Sequence, residues 1–304
     1  MTTKDLQKHL ETKTQNATEE FERLFHGRGG LYESWKHLTI DSIDTILSVA
    51  FYADDARENE LVTMLKEFVN AGRYKTLVLQ RRYLKGAPSE VLLGSLPENL
   101  FIIENGMKIK LNLLSNQNSG YFPDMKNGRE FVKENAKEKS VLNLFSYTCA
   151  FSVAAKLGGA YSVVNVDMSK GALSSGKANH ALNAIEPRGV SYLPYNILKS
   201  FSTLKRKGPY ELIIIDPPSF QRGSFEATKD YEKIIKRLEE LASDDCTLLS
   251  CLNSPELSSS FIINMMNEFA PSFEFVKRLK NVPAFASDDE ERSLKNLVFR
   301  RNIK

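Results

Sequence analysis

Cysteine is scarce in this chain. Three residues in 304, Cys149, Cys246 and Cys251, make neither a disulfide framework nor a Cys-x-x-Cys pair. That excludes a disulfide-stapled secreted fold, leaves no metal site to assign, and fits a reducing cytoplasm. Long apolar runs are missing too. None approaches the ~18 residues of a membrane span, and Met1–Glu20 lacks the apolar core of a signal peptide. The expected location is the cytoplasm, away from membranes. Charge of one sign is not in excess: 41 Lys and Arg against 38 Asp and Glu leave +3. Such a balance permits a nucleic-acid partner without requiring one. Internal repeats and low-complexity tracts are absent. So is Gly-x-Gly-x-x-Gly, which counts against a dinucleotide oxidoreductase.

What remains is an ordinary globular composition, 42% hydrophobic and 26% charged, long enough for two domains. Met1–Glu22 is polar with little apolar periodicity and reads as a mobile tail merging into a short helix. The expected domains are an extension over 1–37, a small α+β domain over 38–114, and a larger α/β domain over 115–304. In the small domain, strands at Leu38–Ile40, Thr45–Tyr52, Thr76–Arg81, Glu90–Leu93, Phe101–Glu104 and Met107–Leu113 accompany one amphipathic helix, Glu58–Val69. Asn105-Gly106 suits a hairpin turn. Gly27-Arg28-Gly29-Gly30 reads as a turn; a phosphate loop would want a following Lys-Ser/Thr.

The larger domain is organised around one unit. Val141–Phe145 is an apolar strand, Ser146-Tyr147-Thr148-Cys149 a tight loop, Ala150–Leu157 a helix, and Val163–Val166 a second strand ending in Asp167. This is a βαβ pattern. Its acid stands where a ribose-binding carboxylate belongs, at the tip of the second strand. The rhythm continues through strands at Val190–Pro194, Leu212–Ile215 and Cys246–Cys251, with helices at Lys170–Asn183, Ile197–Lys207, Tyr231–Leu241 and Phe261–Phe269. A terminal antiparallel hairpin, Phe273–Leu279 with Leu294–Phe299, closes the sheet. The fold class is α/β with a parallel central sheet covered on both faces.

Leu212–Ile215 drives into Asp216-Pro217-Pro218-Ser219-Phe220 at the carboxyl edge, where open α/β sheets bind ligands. Each proline fixes φ and gives up its N–H, so the loop is stiff and its carbonyls stay available. A carboxylate beside free carbonyls suits the amino edge of a planar base, on which Phe220 could stack. The alternative is a rigid turn with Phe220 in the core.

Taken in order, Ser119-Gly120-Tyr121-Phe122-Pro123-Asp124, Asn143-Leu144-Phe145-Ser146-Tyr147-Thr148, Val166-Asp167-Met168-Ser169 and Asp216-Pro217-Pro218-Ser219-Phe220 resemble the class I S-adenosylmethionine-dependent methyltransferases. More narrowly, they resemble the bacterial large-subunit ribosomal RNA methyltransferases of the RlmI/RlmK type, over roughly Thr39 to Phe299. The resemblance implies a Rossmann-like catalytic domain, S-adenosyl-L-methionine as cofactor and RNA, 23S ribosomal RNA in particular, as partner; a homodimer stays open. It implies that Phe145, Ser146, Tyr147 and Thr148 line the methionine part, Asp167 binds ribose, Met168 packs on adenine and Asn196 meets the adenine amino group. Phe122, Asp124 and Arg129 would close over the cofactor. Asn143, Ser169, Asp216 and Pro217 fall within the same cofactor-facing motifs, and Pro218 and Phe220 on the substrate side. The chain departs from the family where Cys149 and Ala150 stand for the usual glycine, and Asn196 for the usual aspartate.

Cys251 separates two chemistries. A thiolate adding to cytosine C6 makes C5 nucleophilic enough to take a methyl group, with Asp216 holding the amino edge. The cytosine members carry a cysteine at the corresponding place. The alternatives are direct methylation of guanine or another nitrogen, which needs no thiol, and a cofactor- or RNA-binding scaffold without turnover. Cys149 and Cys246 read as structural. Among basic stretches, Arg81-Arg82-Tyr83-Leu84-Lys85 is the best candidate for RNA contact, with Arg81 and Arg82 as its cations.

Overall fold

Short apolar strands alternating with amphipathic helices leave few ways to bury every face, and the chain uses two of them. The computed structural model describes residues 1–15, 17–114, 118–218, 220–221 and 225–303. They divide into two units, Met1–Pro123 with Val282–Asp289, and Asp124–Asn281 with Glu290–Lys304. No helix among the described residues is long and apolar enough to cross a membrane.

The first unit comprises α1 (Thr3–Thr14), β1 (Glu22–His26), β2 (Leu38–Ile43), β3 (Ile46–Phe51), α2 (Glu58–Ala71), β4 (Thr76–Arg81), β5 (Ser89–Leu93), β6 (Phe101–Glu104) and β7 (Met107–Lys110). Strands β1 to β5 form one sheet in chain order, parallel only at β3 and β4, which α2 connects. β6 and β7 pair separately, and Asn105 and Gly106 take φ of 49° and 78° at the turn, the two positive values a tight hairpin requires.

Three expectations change here. The first residues are a capped helix, with the Thr2 side chain accepting from the Asp5 N–H and Leu6 and Leu10 fully buried. Two apolar residues at helical spacing suffice because α2 supplies the opposing face. Glu22–His26 is a strand, missing from the sequence reading. The unit also runs past the expected boundary near Leu114, because Tyr121 donates its hydroxyl to Glu104 and meets Phe21 edge-on at 5.5 Å. Val282–Asp289 joins it as well: Phe285 packs on His26 at 5.2 Å, and the Asp288 N–H donates to Gly29 O at 2.8 Å.

The second unit carries α3 (Lys126–Asn135), β8 (Ser140–Leu144), α4 (Ala150–Leu157), β9 (Ser162–Val166), α5 (Lys170–Leu182), β10 (Val190–Leu193), α6 (Phe201–Lys207), β11 (Tyr210–Ile215), the short pair β12 (Phe220–Gln221) and β13 (Phe225–Glu226), α7 (Ala227–Ile235), α8 (Leu238–Leu241), β14 (Ala242–Leu252), α9 (Ser259–Phe269), β15 (Phe273–Arg278) and β16 (Lys295–Asn302). Its seven-stranded sheet has the order β10-β9-β8-β11-β14-β16-β15. The first five pair in parallel, and β16 runs antiparallel to both its neighbours, β14 and β15, giving the Rossmann-like α/β architecture and terminal hairpin.

Strand β11 shows why both faces must be covered. Ile213 and Ile215 enter a cluster with Phe201, Tyr231, Ile234 and Met266, while Leu212 and Ile214 enter another with Val132, Phe151 and Ala155. Alternate side chains leave a strand on opposite faces, so an all-apolar strand needs helices on both. The chain order reverses between β8 and β11. Their carboxyl ends flank the crevice where such sheets receive ligands.

Candidate active site

Two neighbouring strand ends gather most of the expected residues. At the end of β8 the loop turns sharply without glycine: Phe145, Tyr147 and Cys149 have φ of 59°, 45° and 61°. Left-handed backbone costs an ordinary side chain roughly 1–2 kcal/mol, so three such residues in five mark a conformation imposed by the surroundings. Much of that imposition comes from Asp167. Its Oδ2 accepts from the Tyr147 N–H and its Oδ1 from the Ser169 N–H, both at 2.8 Å. A carboxylate has about four acceptor sites, so Asp167 ties the loops together and can still accept from ribose hydroxyls. Beside it Met168 is 48% exposed, an apolar side chain open to a flat partner. The Ser146 hydroxyl is buried and lies by the Cys149 thiol, whose pKa it lowers.

The Cys149 thiol packs against α5. A Cβ built on Gly176 would lie 2.4 Å from Cys149 Sγ, so the thiol occupies space that α5 leaves open by having glycine there. Burial pushes that thiol up to about 12. The departure from glycine at 149 therefore costs backbone strain without filling the ligand side.

Not every expected residue faces the crevice. Asn143 is fully buried within the sheet, donating through Nδ2 to Asn165 Oδ1 at 2.9 Å. Asn165 donates to Ser152 Oγ at 3.0 Å, and Ser152 meets His180 Nε2 at 2.9 Å. His180 Nδ1 faces the Gly176 carbonyl at 2.8 Å and must donate to it, so Nε2 accepts from the serine. Burial lowers the His180 pKa, consistent with a neutral ring. This chain ties β8 and β9 to α4 and α5, the helices that follow the two loops. Two asparagines inside otherwise apolar strands were its signal. They stand opposite each other in register. Ser169 caps α5, accepting from the Ala172 N–H at 3.1 Å. Asn196 is half-buried before the short turn Ile197–Lys199, and its side chain makes no capping bond.

The end of β11 is built differently. Asp216 is pushed up to about 7 from an ordinary 3.8 by burial first and then by Asp124, against the pull of Arg129. Arg129, on α3, is 3% exposed. Its positive charge lowers the Asp216 value without cancelling the two effects that raise it, burial and the like charge of Asp124. Pro217 is buried and Pro218 exposed. Ser219 and the Phe220 side chain lie outside the described residues.

Cys251 ends β14 beside this carboxylate and does not fit an activated nucleophile. It is 1% exposed, and its thiol is held well above the ordinary range by burial, then by Asp216 and Asp124. Low-pKa cysteines sit beside cations instead. Cys246, pushed up to about 12 by burial, is likewise a core thiol. Tyr231 went unanticipated: its hydroxyl meets Ser250 Oγ at 2.7 Å and donates to Cys251 O at 2.9 Å, fixing the strand end. Lys295, fully buried, donates to Ser254 O at 2.9 Å and holds the following loop. Nothing in the residues around a lone Tyr or Lys announces such contacts, which join distant segments.

Three expected residues belong to the first unit. Phe122 is 40% exposed there. Arg81 donates to Glu58 Oε1 and Glu90 Oε1, both at 2.7 Å, so its charge is already matched. Arg82 donates to the amide oxygens of Gln80 and Asn118 at 3.3 and 3.1 Å.

Comparison with known proteins bears on the family and the fold. The family model for S-adenosylmethionine-dependent methyltransferases matches residues 22–300. YwbD of Bacillus subtilis, provisionally named a ribosomal RNA large subunit methyltransferase, is 31% identical over 76% of this chain and 60% of its own. Ribosomal RNA large subunit methyltransferase K/L of Shewanella sp. (strain MR-4) is 31% identical over 68% of this chain and 30% of its own. The chain thus spans well under two thirds of the length of these curated relatives. A solved structure of SMU.776, provisionally described as a methyltransferase and complexed with SAH, superposes with a TM-score of 0.87 at 26% identity, covering 99% of this chain and 82% of that one. A structure described as a SAM-dependent methyltransferase from Streptococcus mutans gives the same values.

Proposed function

We propose, from the premise that this chain belongs to the S-adenosylmethionine-dependent methyltransferase family, that it methylates a nitrogen of a base in large-subunit ribosomal RNA by direct transfer. The cofactor, when bound, supplies an electrophilic methyl group. The strand ends of β8 and β9 have the features to seat it: the Asp167 carboxylate for ribose and exposed Met168 for a flat ring. The RNA assignment follows the names of the curated relatives.

The observation that carries nitrogen over carbon is the state of the two groups at the β11 and β14 ends. Asp216, titrating near 7, can accept a hydrogen bond from a base amino group and take its proton. Cys251 is walled in and discouraged from ionising by the acids around it. Direct transfer uses the first group and needs nothing from the second. The covalent cytosine route remains as a second reading because Cys251 stands within electrostatic reach of Asp216. There the thiol would yield its proton to Asp216 and add to C6, and loss of the C5 proton after methylation would expel it.

Nucleoside mass spectrometry separates the two. Large-subunit RNA from a deletion strain, treated with the protein and S-adenosylmethionine, should gain a nitrogen-methylated base. Cys251→Ala should keep activity within about threefold, the small change expected of a cysteine outside the chemistry. A 5-methylcytidine product, with a Cys251 adduct on 5-fluorocytosine RNA, would replace this reading with the covalent one. No binding of S-adenosylmethionine at millimolar concentration would favour the inactive scaffold.

A further inference from the structure

We propose that Tyr231 is a positioning residue for methyl transfer, holding the ends of β11 and β14 in register with the loop after β8; this rests on the reading above, in which Asp216 takes the proton. Tyr231 is fully buried on α7. Its hydroxyl oxygen meets three groups where two parallel strands stop: Ser250 Oγ at 2.7 Å, Cys251 O at 2.9 Å and Ile215 O at 3.5 Å, the last at the limit of hydrogen-bond distance. Ile215 and Ser250 are register partners, and the next residues along each strand are Asp216 and Cys251. A phenol has one proton to give. The Cys251 carbonyl can only accept, so it takes that proton, and the Ser250 hydroxyl donates to the phenol in turn. Burial holds the phenol well above its ordinary value, so it keeps its proton and acts through geometry.

The ring of the same residue reaches toward the cofactor side. It packs edge-on against Phe225, with centroids 6.2 Å apart, and Phe225 packs edge-on against Phe145 at 4.9 Å. Phe145 opens the strained loop after β8, with φ of 59°. One side chain therefore touches the acceptor edge with its hydroxyl and, through one intervening ring, the loop on the donor edge. A residue that only filled this cluster would need no hydroxyl, because burying one is costly unless it is bonded. Close-packed interiors pass small displacements on. Methyl transfer needs donor and acceptor in line, and a misplacement of about 1 Å can cost ~10²-fold in rate. The joint at Tyr231 is thus read in kcat rather than in cofactor binding.

Two variants, Tyr231→Phe and Tyr231→Phe/Ser250→Ala, test the role on large-subunit RNA from a deletion strain. The first keeps the ring and strands Cys251 O and the Ser250 hydroxyl. It should lower kcat about tenfold while SAH affinity, measured by calorimetry, stays within about twofold, and it should melt below the wild type. The second removes the stranded serine hydroxyl, so the melting temperature should recover in part. Its kcat should stay low, because Cys251 O is still not held. The inflection of the rate near pH 7 should persist in both at a lower plateau, since a phenol that keeps its proton does not set it. A Tyr231→Phe enzyme with wild-type kcat, or a kcat that recovers with the melting temperature in the double variant, overturns the positioning role alone. An Asp216→Asn enzyme with undiminished kcat, or a wild type that binds SAH and methylates no large-subunit RNA, overturns the reading beneath it as well.

Discussion

The ends of β9 and β11 both present an aspartate at the carboxyl edge of one sheet, and the fold treats them in opposite ways. Asp167 receives two backbone N–H donors and stabilises a strained loop. Asp216 is half-buried near a second acid, and its proton is held to about 7. Hydrogen bonds given to a carboxylate fix its position; burial beside like charge tunes its ionisation. The first edge is suited to holding a ligand, the second to moving a proton. The same residue type at equivalent positions therefore stands in two environments that sequence position alone does not separate.

The largest expected effect tests the second edge. Asp216→Asn should lower kcat about 10²–10⁴-fold, the range for losing a proton acceptor, with SAH affinity nearly unchanged. The wild-type rate should rise about tenfold per pH unit up to the Asp216 value of about 7 and level above it, because the carboxylate is the accepting form. Stability should run the other way. A folded-state value of about 7 against an ordinary 3.8 means that the fold favours the protonated acid, a contribution present in full below 3.8 and lost as pH rises through 7. Asp216→Asn should therefore melt above the wild type at pH 8 and lose that advantage toward pH 4. Equal melting temperatures at pH 8 would show that burial does not tune this group, and the contrast between the edges would collapse.

Asp167→Ala should act on binding instead. Removing a charged acceptor from two amides and from the ligand should weaken SAH by about 10–100-fold, while kcat at saturating cofactor falls less than about tenfold. Calorimetry and steady-state kinetics read the two separately. A variant that binds SAH normally but does not turn over would reverse the assignment.

How much of this was legible depended on whether the signal was local. The βαβ unit and the strand driving into Asp216-Pro217-Pro218 are contiguous patterns, and their elements lie where periodicity puts them. Cys251 was placed correctly at a strand end, but strand position does not say whether an edge side chain is open or walled in; Asp124 and Asp216, which settle its environment, come from distant segments. α1 was expected only as a short helix after a mobile tail, because its apolar face is two leucines wide and makes sense only against α2. The glycine loop at 27–30 reads as a turn and is one. Its glycines mark close approach to Trp35 and Ala286, not a ligand cradle, whereas the strained loop at 145–149 carries no glycine at all.

That last loop gives the smallest expected effect and the sharpest test of how the binding edge is kept in shape. Cys149 holds a left-handed backbone that glycine would adopt freely, and its thiol is accommodated because position 176 has no side chain. A methyl at 176 would meet Sγ at 2.4 Å and Cys149 Cβ at 2.9 Å, distances a one-atom side chain cannot escape by rotating. Gly176→Ala alone should cost about 1–3 kcal/mol of stability, as overpacking does, and weaken SAH several-fold by shifting the loop. In a Cys149→Gly background the obstruction is gone, and Gly176→Ala should change SAH affinity less than about twofold, leaving a coupling of at least ~1 kcal/mol between the sites. Additive effects would mean that the two positions do not share this space. The strain at 149 would then have to be borne by Asp167 alone, through its bond to Tyr147.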